Sequence, residues 1–168
     1  MSRYTVPGLD EASAGKIARI LQGRLDATTD LHLTLKHVHW NVVGPSFVAV
    51  HEMLDPWVDE VRLMSDALAE RIATLGHEPV GTPGAVVRNR TWDDYGLGKA
   101  GALDHLAALD LVYDGLLEDY RRAIEELDSL DLVSQDMVIA QADKLEMQQW
   151  FMRAHLDDGS GRLAHREG

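Results

Sequence analysis

The chain of 168 residues contains no cysteine, which excludes a disulfide framework and a thiolate metal site. No apolar run approaches the roughly 18 residues that a membrane-spanning helix needs, so no segment is expected to cross a membrane. The first residues also lack a basic region followed by an apolar run, which is the pattern of a secretory signal peptide. We therefore expect a cytoplasmic protein.

Basic residues are scarce as well. The chain has 16 Lys and Arg against 28 Asp and Glu, which gives a net charge of −12. This sign is unfavourable for a domain that holds nucleic-acid phosphates through its whole surface. It is favourable for collecting cations, because acidic side chains that line an enclosed surface concentrate metal ions there.

Four long segments have the apolar spacing of amphipathic helices, over about residues 13–42, 46–75, 109–128 and 132–157. Pro56 lies inside the second segment and predicts a kink there, not an end. The Gly- and Pro-rich residues 76–100 are too many for a hairpin, so they predict a crossover that runs the length of the bundle. A short helix is expected near residues 101–108.

One long crossover between the second and third helices predicts an all-α, ferritin-like four-helix bundle, because a cytokine-like bundle needs two such crossovers. With 45% apolar residues, the chain from 1 to 168 can form a single domain with a sizeable core. We expect short flexible tails at about residues 1–8 and 158–168.

Potential metal ligands recur along the first two predicted helices; they are His39, His51, Asp55, Asp66 and Glu70. Their nitrogen and oxygen atoms suit iron, manganese or zinc. At about 100° per residue the last four share one stripe, but His51 and Asp66 are about 22 Å apart along a helix. One chain cannot bring both ends of this stripe to one metal, whereas two antiparallel copies about a two-fold axis could. Taken singly, each of these residues is more often structural or solvated than metal-binding.

Several segments resemble the Dps family of small ferritin-like iron-storage proteins, and its actinobacterial branch in particular. They are DLHLTLKHVHWNVVGPSFVAVHEMLD, AERIATLG, TPGAVVRNRTWDDY, LAALDLVYDGLLED, DLVSQD and WFMRAHL, and the resemblance extends from about residue 4 to residue 157. It implies a ferroxidase centre between two subunits, with His39, His51 and Asp55 from one subunit and Asp66 and Glu70 from the other. It also implies a homo-oligomer, a dodecameric shell.

One ferritin motif is missing. The chain contains no Glu-x-x-His pair, with which ferritins build a di-iron site inside one bundle. Glu146 lies in the fourth predicted helix without the histidine. We therefore predict a plain apolar interior for the bundle, with the metal chemistry elsewhere.

The resemblance implies that the protein is both an enzyme and a store. A ferroxidase would oxidise Fe²⁺, preferentially with hydrogen peroxide, and a hollow shell would keep the ferric mineral, which protects DNA from oxidative damage under stress. The alternative is a structural protein that compacts DNA in the nucleoid. A third possibility is a shell that buffers another ion, since zinc and other divalent metals compete for such ligands.

The charge of the tails favours the iron-storage interpretation over DNA compaction. Residues 1–12 contain Arg3 as their one arginine or lysine, and the C-terminal tail sets Arg162 and Arg166 against three acids. The tails therefore offer little positive charge to a phosphate backbone. We expect weak or absent direct DNA binding.

Four further residues are candidates for roles that the resemblance implies. Trp40 could donate electrons to an oxidising intermediate, although a packed aromatic residue is the simpler interpretation. Glu52 could nucleate mineral, and Asp131 and Asp136 could line an acidic pore through which iron enters. For these acids the alternative is a solvated carboxylate, with Asp131 capping the fourth helix.

Overall fold

A computed structural model describes residues 6–166 of the chain, so Arg3 and the outer parts of the two expected tails lie outside the described residues. Five α-helices follow one another: α1 (Glu11–Asn41), α2 (Phe47–Thr74), α3 (Pro83–Asn89), α4 (Ala102–Asp128) and α5 (Leu132–Leu156). Two short strands, β1 (Val42–Val43) and β2 (Ala100–Gly101), flank the α2–α3 region, and a 3₁₀ turn covers Ala164–Arg166. No helix in the described range is long and apolar enough to cross a lipid bilayer.

The four long helices form the predicted four-helix bundle. α1 packs mainly against α2, and α4 packs mainly against α5. Each long helix contributes apolar side chains to one continuous core. Burial of one such side chain contributes about 1.5–3 kcal/mol, so the core holds the helices in register. Its largest fully buried aliphatic residues are Ile17, Leu21, Leu35, Leu54, Leu68, Ile72, Leu75, Leu106, Leu109 and Leu127.

The turns between the helices follow from the residues that occupy them. Gly44 and Gly76 have φ angles of 99° and 80°, a backbone conformation that favours glycine. α2 continues through Pro56 and ends just before Gly76, as predicted. Asp131 caps α5, because its carboxylate accepts hydrogen bonds from two backbone N–H groups of the first turn.

The crossover between α2 and α4 lies along α1. Its end is held by the parallel pairing of β1 with β2, in which Val42 is opposite Ala100. Polar side chains from three successive turns of α1 form hydrogen bonds with the rest of the crossover. The contacts are Gln22 Nε2 to the carbonyl oxygen of Val80 (2.8 Å), Asn89 Nδ2 to Asp26 Oδ2 (3.1 Å) and Trp92 Nε1 to Asp30 Oδ2 (2.8 Å).

The predicted position of the short helix was wrong. The short helix α3 lies within the crossover, at Pro83–Asn89, where Pro83 occupies the first turn that proline tolerates. Residues 102–108 instead form the first two turns of α4. They belong to α4 because the buried Leu106 and Leu109 are spaced helically with the fully buried Tyr113.

The interior of the bundle is not the plain apolar core that we predicted. Two tyrosines of α4 are fully buried, and each donates a hydrogen bond to a glutamine of α5. Tyr113 Oη lies 2.8 Å from Gln148 Oε1, and Tyr120 Oη lies 2.9 Å from Gln141 Oε1. Burial raises the pKa of both phenols, so they stay neutral donors. These pairs satisfy buried polar atoms but do not form a group of metal ligands.

The C-terminal segment folds back onto α4 through a group of charged residues, which we call the C-terminal clamp: Asp110, Asp114, Arg153, His165 and Arg166. Asp110 is fully buried, and its carboxylate accepts hydrogen bonds from Arg153 Nε (2.7 Å), His165 Nε2 (2.8 Å) and Arg166 Nε (2.7 Å). Asp114 accepts from both arginines as well. Burial alone would raise the pKa of Asp110, but these three donors outweigh it and hold that pKa below its ordinary value.

Candidate metal centre

Two histidines meet where α1 ends and α2 begins. His39 Nδ1 lies 3.1 Å from the carbonyl oxygen of His51, and His51 Nδ1 lies 2.9 Å from the carbonyl oxygen of His39. Their rings are stacked, with centroids 3.6 Å apart. Because a carbonyl oxygen can only accept, each Nδ1 carries the hydrogen and each Nε2 keeps a free lone pair. This reciprocal hydrogen bonding prepares both rings to bind a metal through Nε2.

Asp55 lies one turn after His51 on α2 and completes a group of three donors. Single ligand atoms of His39, His51 and Asp55 all lie within 4.8 Å of one another. His39 is buried, whereas the Asp55 side chain is half exposed. Two imidazole nitrogens and one carboxylate oxygen are a donor set that suits Fe²⁺, Mn²⁺ or Zn²⁺. We call these three residues the histidine half-site.

Lys36 was missed as a partner of this half-site. Its ammonium group donates a hydrogen bond to Asp55 Oδ1 at 2.9 Å. This bond holds the pKa of Asp55 below its ordinary value. The carboxylate is therefore ionised and ready to bind a cation at neutral pH. Lys36 comes 19 residues before Asp55 in the chain, so no local spacing could have indicated the contact.

Asp66 and Glu70 lie on the same helix as Asp55, but far from the half-site. The α-helical rise places Asp66 about 22 Å from His51 along α2. Both residues are exposed, and neither carboxylate has a hydrogen-bond or ion-pair partner within residues 6–166. The structure of one chain thus brings together three of the five predicted ligands. The assignment of Asp66 and Glu70 to the same metal remains a prediction.

The four secondary candidates lie in different environments. Trp40 is 70% exposed, so it is not packed within its own chain, contrary to the simpler interpretation of this residue. Glu52 and Asp136 are exposed as well. Asp131 is engaged on both sides, because it caps α5 and also accepts a hydrogen bond from Arg71 Nη2 at 2.6 Å. The proposed roles of these residues in electron donation, nucleation and iron entry remain predictions.

The fold and the half-site agree with a known class of proteins. The family described as "Ferritin-like domain" matches residues 18–161, which is most of the chain. A four-helix bundle of this class with carboxylate and imidazole donors is an iron-binding architecture.

Individual relatives narrow the class. The chain is 58% identical over 165 residues to the "DNA protection during starvation protein" of Mycolicibacterium smegmatis, covering 98% of this chain and 90% of the relative. The solved structure of Mycobacterium smegmatis Dps in its tetragonal form superposes with a TM-score of 0.97 at 57% identity, covering 98% of this chain and all of that one. DpsA14 from Streptomyces coelicolor gives a TM-score of 0.95 at 56% identity, covering 96% of each chain. The chain therefore belongs to the Dps family of ferritin-like proteins, whose general functions are iron oxidation and iron storage.

Proposed function

We propose that this protein oxidises Fe²⁺, preferentially with hydrogen peroxide, at centres shared between two subunits, and stores the product as ferric mineral inside a hollow dodecamer. The observation that carries the proposal is the histidine half-site, in which reciprocal hydrogen bonds through Nδ1 hold two imidazoles, and a nitrogen of each ring lies within 4.8 Å of a carboxylate oxygen of Asp55. Fe²⁺ is the substrate, and the stored mineral keeps iron away from DNA.

The half-site supplies three of the five proposed ligands. The other two, Asp66 and Glu70, would come from α2 of a second subunit. Asp66 and Glu70 lie about 22 and 28 Å from His51 along α2. If two α2 helices cross antiparallel at a two-fold axis, the half-site of one faces the carboxylates of the other. Exposed apolar side chains near the half-site support such a contact, since Trp40 is 70% and Val48 is 57% exposed.

Holding two iron ions close together would let hydrogen peroxide take up two electrons at one centre. Two Fe²⁺ ions give up one electron each, the O–O bond of hydrogen peroxide breaks, and two protons complete two water molecules. Transfer of a single electron would instead release a hydroxyl radical. The carboxylates offset the growing positive charge of the iron, and the imidazoles favour Fe²⁺ over Mg²⁺ or Ca²⁺.

Purified protein should oxidise Fe²⁺ faster than buffer alone, and faster with peroxide than with dissolved oxygen. Peroxide should be consumed at half the molar amount of Fe²⁺ oxidised, and a spin trap should detect little hydroxyl radical. Light scattering should give the mass of about twelve chains. A stable monomer, or oxidation no faster than in buffer, would contradict the proposal. If dissolved oxygen oxidised Fe²⁺ as fast as peroxide does, only the preference for peroxide would be contradicted.

Direct DNA binding is expected to be weak, and the C-terminal clamp strengthens this expectation. Arg166, one of the few basic residues of the tail, has its guanidinium bound to Asp110 and Asp114 and is thus neutralised locally. In a gel-shift assay near physiological salt and neutral pH, plasmid mobility should barely change. At low salt the retardation should be stronger, because charge interactions are less screened. Tight retardation at physiological salt would favour the alternative function, DNA compaction.

A further inference from the structure

A basic cleft lies on the opposite half of α1 from the metal centre. It runs between the N-terminal half of α1 and the C-terminal half of α4 and has a volume of about 600 Å³. Its charged lining consists of four cations and two carboxylates: Lys16, Arg19, Arg24, Arg122, Asp119 and Glu126. The cleft thus has a net charge of about +2 in a protein whose net charge is −12. Such a local reversal of sign attracts anions.

The carboxylates of the cleft do not neutralise its cations one by one. Asp119 is shared, because it accepts hydrogen bonds from both Arg24 Nη2 (3.2 Å) and Arg122 Nη2. Lys16 and Arg19 are exposed at the rim, and neither has an ion-pair partner in the described part of the chain. Two cations are therefore free to turn towards a bound anion.

Arg24 provides the second and independent observation. It is only 9% exposed at the floor of the cleft, and its Nη1 is buried without a hydrogen-bond partner among the described residues. One face of its guanidinium is covered by the ring of Tyr120, 5.4 Å away. Burial is the main cause that lowers the pKa of Arg24; Arg122 adds to this effect, and Tyr120 and Glu126 oppose it. A buried guanidinium with an unused donor is costly, and the negative charge of an anion in the cleft would offset part of that cost.

We propose that this cleft is a binding site for inorganic phosphate. A tetrahedral oxyanion offers several acceptor oxygens, so one ion can accept hydrogen bonds from the free cations Lys16 and Arg19 together, with the positive charge of Arg24 at the floor beneath it. The ligand class follows from the donors: guanidinium and ammonium groups at one place recognise phosphate groups better than chloride, which has no separate acceptor atoms.

Glu126 indicates that phosphate is preferred over sulfate. This carboxylate lines the cleft and has no ion-pair partner within the described residues. At neutral pH, hydrogen phosphate carries a proton that it can donate to a carboxylate oxygen. Sulfate has no such proton, so its oxygens would be repelled by Glu126 without a compensating hydrogen bond.

The test measures phosphate binding to the intact wild-type assembly, without iron, by titration calorimetry at fixed ionic strength. One phosphate per chain is expected, with at least about tenfold weaker binding of sulfate. The variant Lys16→Gln/Arg19→Gln, which changes two exposed side chains, should bind phosphate about tenfold more weakly or worse. The matched control Arg62→Gln/Arg88→Gln also removes two exposed cations, but outside the cleft, and should bind as the wild type does. The variant Arg24→Gln removes the positive charge at the floor of the cleft, and it should also weaken binding.

Each outcome decides the proposal. The proposed site would be refuted if phosphate gave no heat of binding with the wild type. It would also be refuted if the two double variants bound phosphate equally well. Equal binding of sulfate and phosphate would refute the role of Glu126.

A short DNA duplex serves as the second source of phosphate groups. If the duplex binds through Lys16 and Arg19 while free phosphate does not, the cleft is a nucleic-acid contact and the inorganic ligand is wrong. Because iron takes no part in these measurements, the result is independent of the ferroxidase proposal.

Discussion

A mixture of two inactive variants is expected to recover about a quarter of the wild-type rate of Fe²⁺ oxidation. One variant lacks the two imidazoles of the half-site (His39→Ala/His51→Ala), and the other lacks the distant carboxylates (Asp66→Ala/Glu70→Ala). Each alone should lose more than the roughly 10- to 100-fold that loss of an outer-shell partner costs, because metal ligands themselves are removed. Random co-assembly in equal amounts makes about half of the two-fold pairs mixed, and each mixed pair rebuilds one of its two centres.

The controls for this experiment come from the same helices. His32→Ala removes an imidazole of α1 outside the half-site, and Asp59→Ala removes an exposed carboxylate of α2 between the two groups of ligands. Both should keep nearly the full rate. Mass measurements must show that the mixed sample has assembled. If an assembled mixture stays inactive, the ligands do not come from two chains and the shared centre is refuted.

Replacing Asp110 with alanine is expected to release the C-terminal segment and to lower the free energy of unfolding. The variant leaves Arg153, His165 and Arg166 without their common acceptor. Removal of one partner from a buried pair usually costs about 3–5 kcal/mol. Because the two arginines are about a third exposed and can be hydrated, we expect about 2–3 kcal/mol here. Hydrogen exchange of residues 160–166 and the denaturation midpoint measure the two effects.

The loss of stability caused by the Asp110→Ala substitution should become smaller as the pH falls into the acid range. The pKa of Asp110 is lower in the folded protein than in the unfolded chain, where it is about 3.9. The stabilisation by Asp110 is therefore fully present above about pH 4 and is lost as the pH falls through the folded pKa. Protection of the C-terminal segment should differ strongly between wild type and variant at neutral pH, and the difference should shrink in acid. If the difference in protection between wild type and variant stayed constant from neutral pH to the lowest accessible pH, the assigned role of the Asp110 carboxylate would be wrong.

A double-mutant cycle separates the clamp from a general packing defect. Deleting residues 163–168 should cost stability in the wild type but little in the Asp110→Ala variant, because the contact is already lost. Glu118→Ala is the matched control, since it removes an exposed acid of α4 that has no ion pair within residues 6–166. It should leave hydrogen exchange of the C-terminal segment unchanged. Fully additive effects of the deletion and Asp110→Ala would show that the two parts do not interact.

The helices and half of the candidate centre could be predicted because they depend on spacing along one or two helices. His51 and Asp55 are one turn apart on α2, so any helix brings them to one face. His39 joins them because Gly44 permits the tight turn between α1 and α2. The separation of Asp66 from His51 also follows from the helical rise alone, so a metal centre that used both residues would need a second chain.

Other features could not be predicted because they join residues that are distant in the chain. The clamp connects Asp110 with residues more than 40 positions later, and the Tyr113–Gln148 pair spans 35 positions. No periodic pattern records such pairs, and the absence of a Glu-x-x-His pair had predicted an apolar interior. The beginning of α4 was misjudged for a different reason. Residues 101–108 were expected to form a separate short helix, whereas burial of Leu106 and Leu109 joins them to α4, which begins at Ala102.

The reciprocal hydrogen bonds of His39 and His51 have a consequence for protein engineering. Each ring is oriented by the main chain of the other residue and stacks on the other ring, so the two histidines are not two independent, interchangeable ligands. A carboxylate at either position could bind a metal, but it has no N–H to give to the facing carbonyl. The substitution would remove that hydrogen bond and would also leave the remaining ring without its stacking partner. Attempts to retune the metal preference of this scaffold should therefore keep the histidine pair intact and vary Asp55 or its neighbour Lys36.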